Sequence, residues 1–372
     1  MTKTFAAVST MLGTIIGAGF LGIPYVIMRS GFTIGVIHLL FIAIAVAITT
    51  LYLGEIALRT KSKHQLTGYA EKYLGKKGKI WMLIAVSIGI YSALVAYIIG
   101  ESTSLSYLFF SSADYSLQFG IAFWLILSAI AYLGIRALEK GESLGIIIIF
   151  ILVTSISLIS FNKIDINNLN YINPENFFVP FGVILFAFLG FSVIPEVEII
   201  LGKDKKLMKK SIFIAYAIAL LTYIVFTIVV LGSQGQNTPQ LATLALGIPF
   251  ILLGMFTMFT AYLALSTALV DTFKFDLKKS KFKSWLYTIF LPIILFVILN
   301  LLNKAEFTKV IGIGGAISGT ITAILILLMA KRAKVKGDRK PEYEIPYSKI
   351  AAALIALIFV IGTIFEITNA VK

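Results

Sequence analysis

The sequence lacks cysteine altogether and has only two histidines among its 372 residues. Without cysteine the chain can form no disulfide, no thiol nucleophile and no thiolate metal site. Charged residues are also sparse, at 13% of the chain, and no polar stretch is long enough for a separate soluble domain. Two histidines and scattered acids offer little for metal or nucleophilic chemistry. We therefore expect neither an enzyme nor a resident cofactor.

Apolar residues dominate instead and make up 59% of the chain. Apolar runs of roughly 20 residues recur from end to end, and each is long enough to cross a hydrocarbon core of about 30 Å. We expect an all-α membrane protein, with residues 1–372 forming a single transmembrane domain in the lipid bilayer. The sequence predicts eleven transmembrane helices, at residues 5–28, 32–57, 80–108, 118–135, 142–161, 176–201, 211–232, 247–273, 284–302, 307–330 and 348–369.

Basic residues outnumber acidic ones by 32 to 18, and their distribution predicts the orientation. If the N-terminus lies inside, most Lys and Arg fall in inside loops. Those left outside are Arg29, Lys163, Lys304, Lys309 and Lys372. This asymmetry follows the positive-inside rule. It predicts a multi-pass plasma-membrane protein with a cytoplasmic N-terminus and an outside C-terminus, and it explains the net charge of +14 without nucleic-acid binding.

The first span is rich in residues that disfavour a helix. From Gly13 to Pro24 it holds four glycines and a proline, and these residue types have the poorest helix propensity. Small residues in a membrane helix can simply allow close packing. The alternative is a helix broken at Gly17–Gly19, whose freed amides and carbonyls face a polar cavity.

The sixth span repeats this pattern, because a glycine, a serine and a proline interrupt the apolar run from Phe186 to Glu196. A shift of about 172 residues lays the first break on the second and residues 5–161 on 176–330, with 348–369 as an extra helix. Five spans per repeat give the repeats opposite topology. Paired breaks in inverted repeats are a pointer to a transporter's substrate site. Close packing explains one such segment but not a matched pair.

The segment Gly17-Ala-Gly-Phe-Leu-Gly-Ile-Pro-Tyr25 resembles the first-helix signature of the amino acid/auxin permease and aromatic amino acid permease group. The segment from Phe186 to Glu196 resembles the sixth helix of that group. Gly54-Glu55 is similar to the end of helix two in the wider amino acid/polyamine/organocation superfamily. The resemblance implies the leucine-transporter fold, with five-plus-five inverted repeats, broken helices one and six, and an eleventh helix. It also implies amino acid transport by alternating access, in a protein that is often a monomer.

The breaks suggest how an α-amino acid would be held. A helix N-terminus offers unpaired amides and a partial positive charge, which suit a carboxylate. We therefore expect the amides of Gly17, Ala18 and Gly19 to bind the substrate carboxylate. Carbonyls exposed at the breaks suit the ammonium, and the expected ones belong to Ile15, Phe186, Ala187 and Phe188.

Aromatic residues are candidates for the walls of this pocket. The resemblance assigns Phe186 and Phe191 to the covering of the substrate, and Tyr91 and Tyr262 lie near the middle of spans three and eight. Ordinary aromatic packing is the alternative for each. Ser192 stands where some relatives with cationic substrates carry Glu, which favours a neutral, apolar or aromatic amino acid.

The sequence leaves sodium and protons open as the coupling ion. By resemblance, the hydroxyls of Ser266 and Thr267 would bind sodium together with the carbonyls of Gly13 and Ile16. Oxygen ligands of these kinds suit a hard cation. The alternative is that each hydroxyl bonds back to its own helix. The second sodium site of the leucine transporter is not expected, because Phe20 replaces its asparagine ligand.

Proton coupling would need a titratable group. Some proton-coupled relatives carry a lysine in span five, and this span has none. The candidate acids are Glu55, Glu196, Glu198 and Asp271. All lie toward the cytoplasmic ends of their helices, where pairing with Lys or Arg is the alternative. An amino-acid-sensing receptor on the same fold is the competing function, although short loops and the absence of an attached signalling domain disfavour it.

Overall fold

The computed structural model describes residues 2–133, 154, 161–275 and 277–371. This part of the chain is a helical bundle, in which short 3₁₀ turns connect or interrupt the helices. The α-helices are α1 (Lys3–Ile15), α2 (Ile23–Ser30), α3 (Phe32–Arg59), α4 (Leu66–Leu74), α5 (Lys76–Phe110), α6 (Ser116–Leu133), α7 (Phe181–Phe188), α8 (Ile194–Leu201), α9 (Met208–Gln234), α10 (Ile248–Phe275), α11 (Lys281–Leu301), α12 (Phe307–Lys336) and α13 (Lys349–Val371).

Nine helical segments in the described residues are long and apolar enough to cross a membrane. They become ten if Lys3–Ile15 and Ala18–Ser30, which meet at a bend of 48°, are counted as one span. These ten coincide with ten of the eleven predicted spans. The fifth predicted span, 142–161, lies almost wholly outside the described residues, as do the last two residues of the fourth. We use "first span" for α1 to α2 and "sixth span" for α7 to α8.

Helix α12 lies at the centre of the bundle, where it packs against α3, α5, α7 and α13. Its glycines make these contacts close. A Cβ on Gly314 would stand 2.1 Å from the Ser92 side chain of α5, and one on Gly315 would stand 2.4 Å from the Phe186 Cβ of α7. The glycine cluster of the tenth span therefore serves helix packing, as small residues do in membrane helices.

Ion pairs join helices to loops at one end of the bundle. We call this end the basic end, and its loops are 60–65, 202–207 and 337–348. Lys3 Nζ lies 2.7 Å from Asp204 Oδ2, and Lys72 pairs with Asp338. The hydrogen bond from Lys3 lowers the pKa of Asp204, and the one from Lys72 lowers the pKa of Asp338. Lys3, near the N-terminus, lies at this end. The charge distribution predicts that this side is cytoplasmic.

Glu55, at the end of α3, organises the basic end. Its side chain is 3% exposed, and its Oε1 lies 2.8 Å from both Arg59 Nε and Lys334 Nζ. Its Oε2 accepts a hydrogen bond of 2.8 Å from the Ile345 amide. A buried carboxylate is tolerated when cations and amides surround it in this way. Glu55 therefore holds α3, α12 and the loop before α13 together.

We expect Glu55→Gln to destabilise the protein by about 3–5 kcal/mol, because it leaves two partly buried cations without their anion. Thermal unfolding of the detergent-purified protein should show a clearly lower Tm. Glu71→Gln is the matched control, since the Glu71–Lys79 pair is exposed and such pairs contribute about 0–1 kcal/mol. Equal Tm values for the two variants would contradict this role of Glu55.

Candidate functional site

The first span is interrupted after Ile15. The last backbone bond of α1 runs from the Ile16 amide to the Leu12 carbonyl at 2.7 Å. Gly17 is extended, and a 3₁₀ turn over Ala18–Gly22 then leads into α2, where Pro24 occupies the first turn. Proline fits there because its position needs no amide donor. Within the described residues, no backbone bond outside the helices begins at the amides of 17–19, as expected at a helix start.

The sixth span is interrupted by the same sequence of elements. Helix α7 ends at Phe188, Leu189 is extended, and a 3₁₀ turn over Phe191–Val193 leads into α8. Pro195 again lies in the first turn of the second half-helix. The structure therefore breaks both helices where the sequence predicts.

The two breaks are in direct contact. A Cβ built on Gly19 would stand 2.6 Å from Phe186 Cδ1 and 3.5 Å from the Ala187 Cα. In the same way, a Cβ on Gly190 would stand 2.7 Å from Ile15 Cγ1. Each break thus carries a glycine at the point where the other break touches it, and a larger residue would push the two apart.

Tyr223 of α9 links the breaks through hydrogen bonds. Its hydroxyl oxygen lies 2.8 Å from the Ile15 carbonyl and 2.8 Å from the Ala187 carbonyl. A phenol has one proton to donate, so the two carbonyls share it. Two helical turns nearer the start of α9, the Tyr216 hydroxyl lies 3.3 Å from the Phe188 carbonyl and 2.8 Å from Thr50 Oγ1.

The sequence analysis missed both tyrosines. Their spacing of seven residues, two helical turns, places them on one face of an apolar helix, and this was the available signal. The structure shows that this face meets carbonyls at the two breaks, including Ile15, Ala187 and Phe188, which were predicted to hold the ammonium. Since a carbonyl has two lone pairs, each can accept a second donor.

The remaining predicted residues of the breaks lie in different surroundings. Ala18 and Phe191 are buried, and Gly17 and Phe186 are partly exposed. Ser192 is exposed, on the turn that precedes α8. Residues from both broken helices are therefore open to a ligand, while others form the packed base on which the breaks rest.

Two predicted wall residues lie elsewhere. The Tyr91 hydroxyl donates to the Tyr287 carbonyl of α11 at 2.9 Å, and its ring borders a shallow space beside Leu291. Its face of α5 points to α11 and not to the contact of the two breaks, so we leave it out of the site. Tyr262 is buried and packs edge-on against Phe123 of α6, with ring centroids 5.5 Å apart. Tyr262 thus makes an aromatic contact, the alternative that the sequence had left open, and Tyr91 is held by a hydrogen bond.

Within the described residues, no hydrogen bond joins the members of the predicted sodium site. The Ser266 hydroxyl donates to the Leu263 carbonyl of its own helix at 3.1 Å, and Thr267 is half-buried. Helix α10 packs against the turn Ala18–Gly22 of the first span, which follows Gly13 and Ile16 in the chain. Back-bonding of Ser266 is thus the arrangement present.

The predicted acids differ in their surroundings. Glu55 is engaged at the basic end, and Glu198 pairs with Lys205. Glu196 is exposed and Asp271 is half-buried. The sequence analysis overlooked Glu101, which is 2% exposed in the middle of the described bundle. A lone acid in the apolar run 80–108 was the signal that could have found it.

Comparison with known proteins identifies the family. The family described as "Tryptophan/tyrosine permease family" matches residues 1–245 and 241–368. A glutamine transporter 2 of Aliivibrio fischeri is 22% identical over 90% of both chains. A tryptophan-specific transport protein of Haemophilus influenzae is 26% identical over 87% of this chain and 86% of its own. A tyrosine-specific transport system 1 of the same organism is 24% identical over 64% of this chain and 60% of its own.

A solved structure, MhsT in complex with L-phenylalanine, superposes on 98% of both chains with a TM-score of 0.66 and 14% identity. At this identity the likeness shows the fold, which is that of the leucine transporter, as the resemblance implied. The matches also confirm that the chain is a multi-pass transporter and not an enzyme. Since the family match covers nearly its whole length, the chain belongs to the tryptophan/tyrosine permease family of amino acid transporters.

Proposed function

We propose that the chain is a secondary active transporter that moves a neutral, preferably aromatic, amino acid by alternating access. The observation that carries this proposal is the contact of two broken helices at Gly19 and Phe186. Both breaks offer unpaired backbone groups at the same place, and irregular backbone within a membrane is tolerated where it is buried in protein or lines a polar cavity. An amino acid supplies the complementary carboxylate and ammonium.

The amides of Gly17, Ala18 and Gly19 bind the substrate carboxylate. They lie at the start of the half-helix Ala18–Ser30, where unpaired N–H groups and the helix dipole favour an anion. The carbonyls of the first and sixth spans bind the ammonium. They replace the water around it without placing a second full charge in the bilayer. Tyr223 keeps these carbonyls at a fixed separation.

The side chain of the substrate lies against Phe186 and Phe191. Ser192 adds a small polar group and no charge, which suits a neutral substrate. The named substrates of the relatives, tryptophan, tyrosine and glutamine, are neutral amino acids, and the related fold was solved with L-phenylalanine. These names support an aromatic or otherwise neutral substrate for this chain.

The transport cycle requires two states of one bundle. We propose that residues 5–161 and 176–330 form inverted repeats, that spans one, two, six and seven move against spans three, four, eight and nine, and that the protein acts as a monomer. The basic end faces the cytoplasm of a cell whose plasma membrane holds the protein, by the positive-inside rule. The coupling ion is sodium, at Gly13, Ile16, Ser266 and Thr267, or a proton.

Uptake of labelled tryptophan into liposomes that contain the purified protein tests this function. Tyrosine, phenylalanine, glutamine and arginine should be added as competitors. We expect saturable uptake that the neutral amino acids inhibit and arginine does not. Binding without flux under any gradient or exchange condition would instead indicate a sensing receptor.

Gly19→Ala should weaken tryptophan binding by about tenfold or more, or about 1.4 kcal/mol, because its Cβ enters the space of the Phe186 ring. Gly17→Ala is the matched control, since its Cβ would meet only the Thr14 carbonyl at 3.7 Å and the amide remains. Gly19→Leu should abolish uptake while folded protein remains in the membrane. Unchanged uptake by Gly19→Leu would refute the proposed carboxylate site.

Tyr223→Phe should also weaken tryptophan binding, by about tenfold, because a hydrogen bond of about 0.5–1.5 kcal/mol no longer holds the two breaks together. Tyr91→Phe is the matched control, because it too removes a phenol that donates to a carbonyl, but to a carbonyl of α11 and not of the breaks. Equilibrium binding of labelled tryptophan in detergent measures both. Equal losses in the two variants would contradict the bridging role.

A further inference from the structure

Glu101 lies in the interior of the bundle on α5 and is 2% exposed. The neighbouring residue shows how tightly this part of α5 is packed. A Cβ on Gly100 would stand 2.4 Å from the Met258 sulfur of α10 and 3.3 Å from the Phe307 ring of α12. The backbone amide of Phe259 on α10 lies within hydrogen-bonding reach of the Glu101 carboxyl group. This stretch of α5 is therefore enclosed by α10 and the start of α12, and the Glu101 carboxyl group is buried within it.

One oxygen of this carboxyl group, Oε1, has no hydrogen-bond partner among the described residues. The Ser104 hydroxyl, less than one turn along the same helix, is also buried without one. No ion pair within the described chain includes Glu101, whereas Glu55 and Glu198 both have cations. An unpaired, buried carboxylate costs several kcal/mol, and the group avoids that cost when it carries a proton.

The neighbouring elements supply no counter-charge. The relevant titratable side chains are the ones closest along the chain to Glu101, Phe259 and Phe307. They are Tyr97 on α5, Tyr262 on α10, and Glu306 and Lys309 at the start of α12. The Glu306 carboxylate accepts a hydrogen bond from Gln240 at 3.4 Å, and within the described residues Lys309 forms no ion pair with Glu101. The pocket of Glu101 thus favours a neutral carboxylic acid.

The helix that covers Glu101 also contacts the substrate site. Helix α10 places Phe259 against Glu101 and packs against the turn Ala18–Gly22, which carries the proposed carboxylate-binding amides. A displacement of that turn therefore acts on the helix that closes the pocket of Glu101. Opening the pocket to water on one side of the membrane lets the carboxyl group exchange its proton there.

Resting on the transport function proposed above, we propose that Glu101 is the residue that binds and releases the coupling proton. In each cycle the carboxylate accepts one proton from water on one side of the membrane, holds it as a neutral acid while the pocket is closed, and releases it to water on the other side. The proton is the only species transferred at this group.

The test compares wild-type protein with Glu101→Gln in liposomes. Accumulation of labelled tryptophan is driven by a pH gradient, and counterflow exchange is measured without a gradient. We expect Glu101→Gln to lose gradient-driven accumulation by about tenfold or more, or about 1.4 kcal/mol, and to keep counterflow. Glu366→Gln is the matched control, because that acid on α13 lies instead against Gly182 of α7 and Gly312 of α12, and we expect it to keep both activities.

A second measurement needs no variant. When tryptophan is added outside liposomes that hold wild-type protein and a trapped pH dye, we expect the interior to acidify. Counterflow without acidification, accumulation driven by a sodium gradient alone, or wild-type accumulation by Glu101→Gln would each overturn the assignment to Glu101 and leave the transport function intact. Absence of counterflow in the wild-type protein would refute the transport function itself.

Discussion

Backbone amides and carbonyls inside a bilayer must find polar partners, because the lipid offers none. This constraint governs the centre of the protein. Two helices are broken there, and their freed groups lie against each other and against the hydroxyls of α9. Tyr223 reaches the carbonyls of Ile15 and Ala187 at once, and Tyr216 reaches that of Phe188. The same groups are the ones that an amino acid can use, since each carbonyl keeps a lone pair and the amides at the start of Ala18–Gly22 remain open.

Close packing by small residues holds these breaks in place. Gly19 meets the ring of Phe186, and Gly315 of α12 meets the Cβ of the same residue. Phe186 is therefore confined between the first span and the central helix, and its ring has little room to move when either neighbour gains a methyl group. The glycines that make the helices fragile also make the approach close. The same glycines therefore cause the helix breaks and allow the two breaks to approach each other.

The sequence was sufficient to predict the spans and the breaks, because these depend on local composition. Runs of apolar residues predicted ten spans that the structure describes, and the glycines and prolines predicted both interruptions. It was not sufficient to predict which way side chains point in helices that are apolar on all sides. Tyr91 and Tyr223 look alike in sequence, yet one bonds to α11 and the other to the breaks. The direction in which such a side chain points depends on tertiary packing. A helix that is apolar on all sides has no polar face that would reveal this direction.

The acids show the same limit and one further principle. Glu55 and Glu198 lie near lysines and arginines in sequence, and the structure pairs them at the basic end. Glu101 has no such neighbours, and its burial beside α10 became apparent only in the structure. Within the described residues Glu366 also forms no ion pair, and it accepts a hydrogen bond from the Gly182 amide at the start of α7. Partnership, more than position along the chain, therefore separates the acids that stabilise the fold from Glu101, which we propose exchanges a proton.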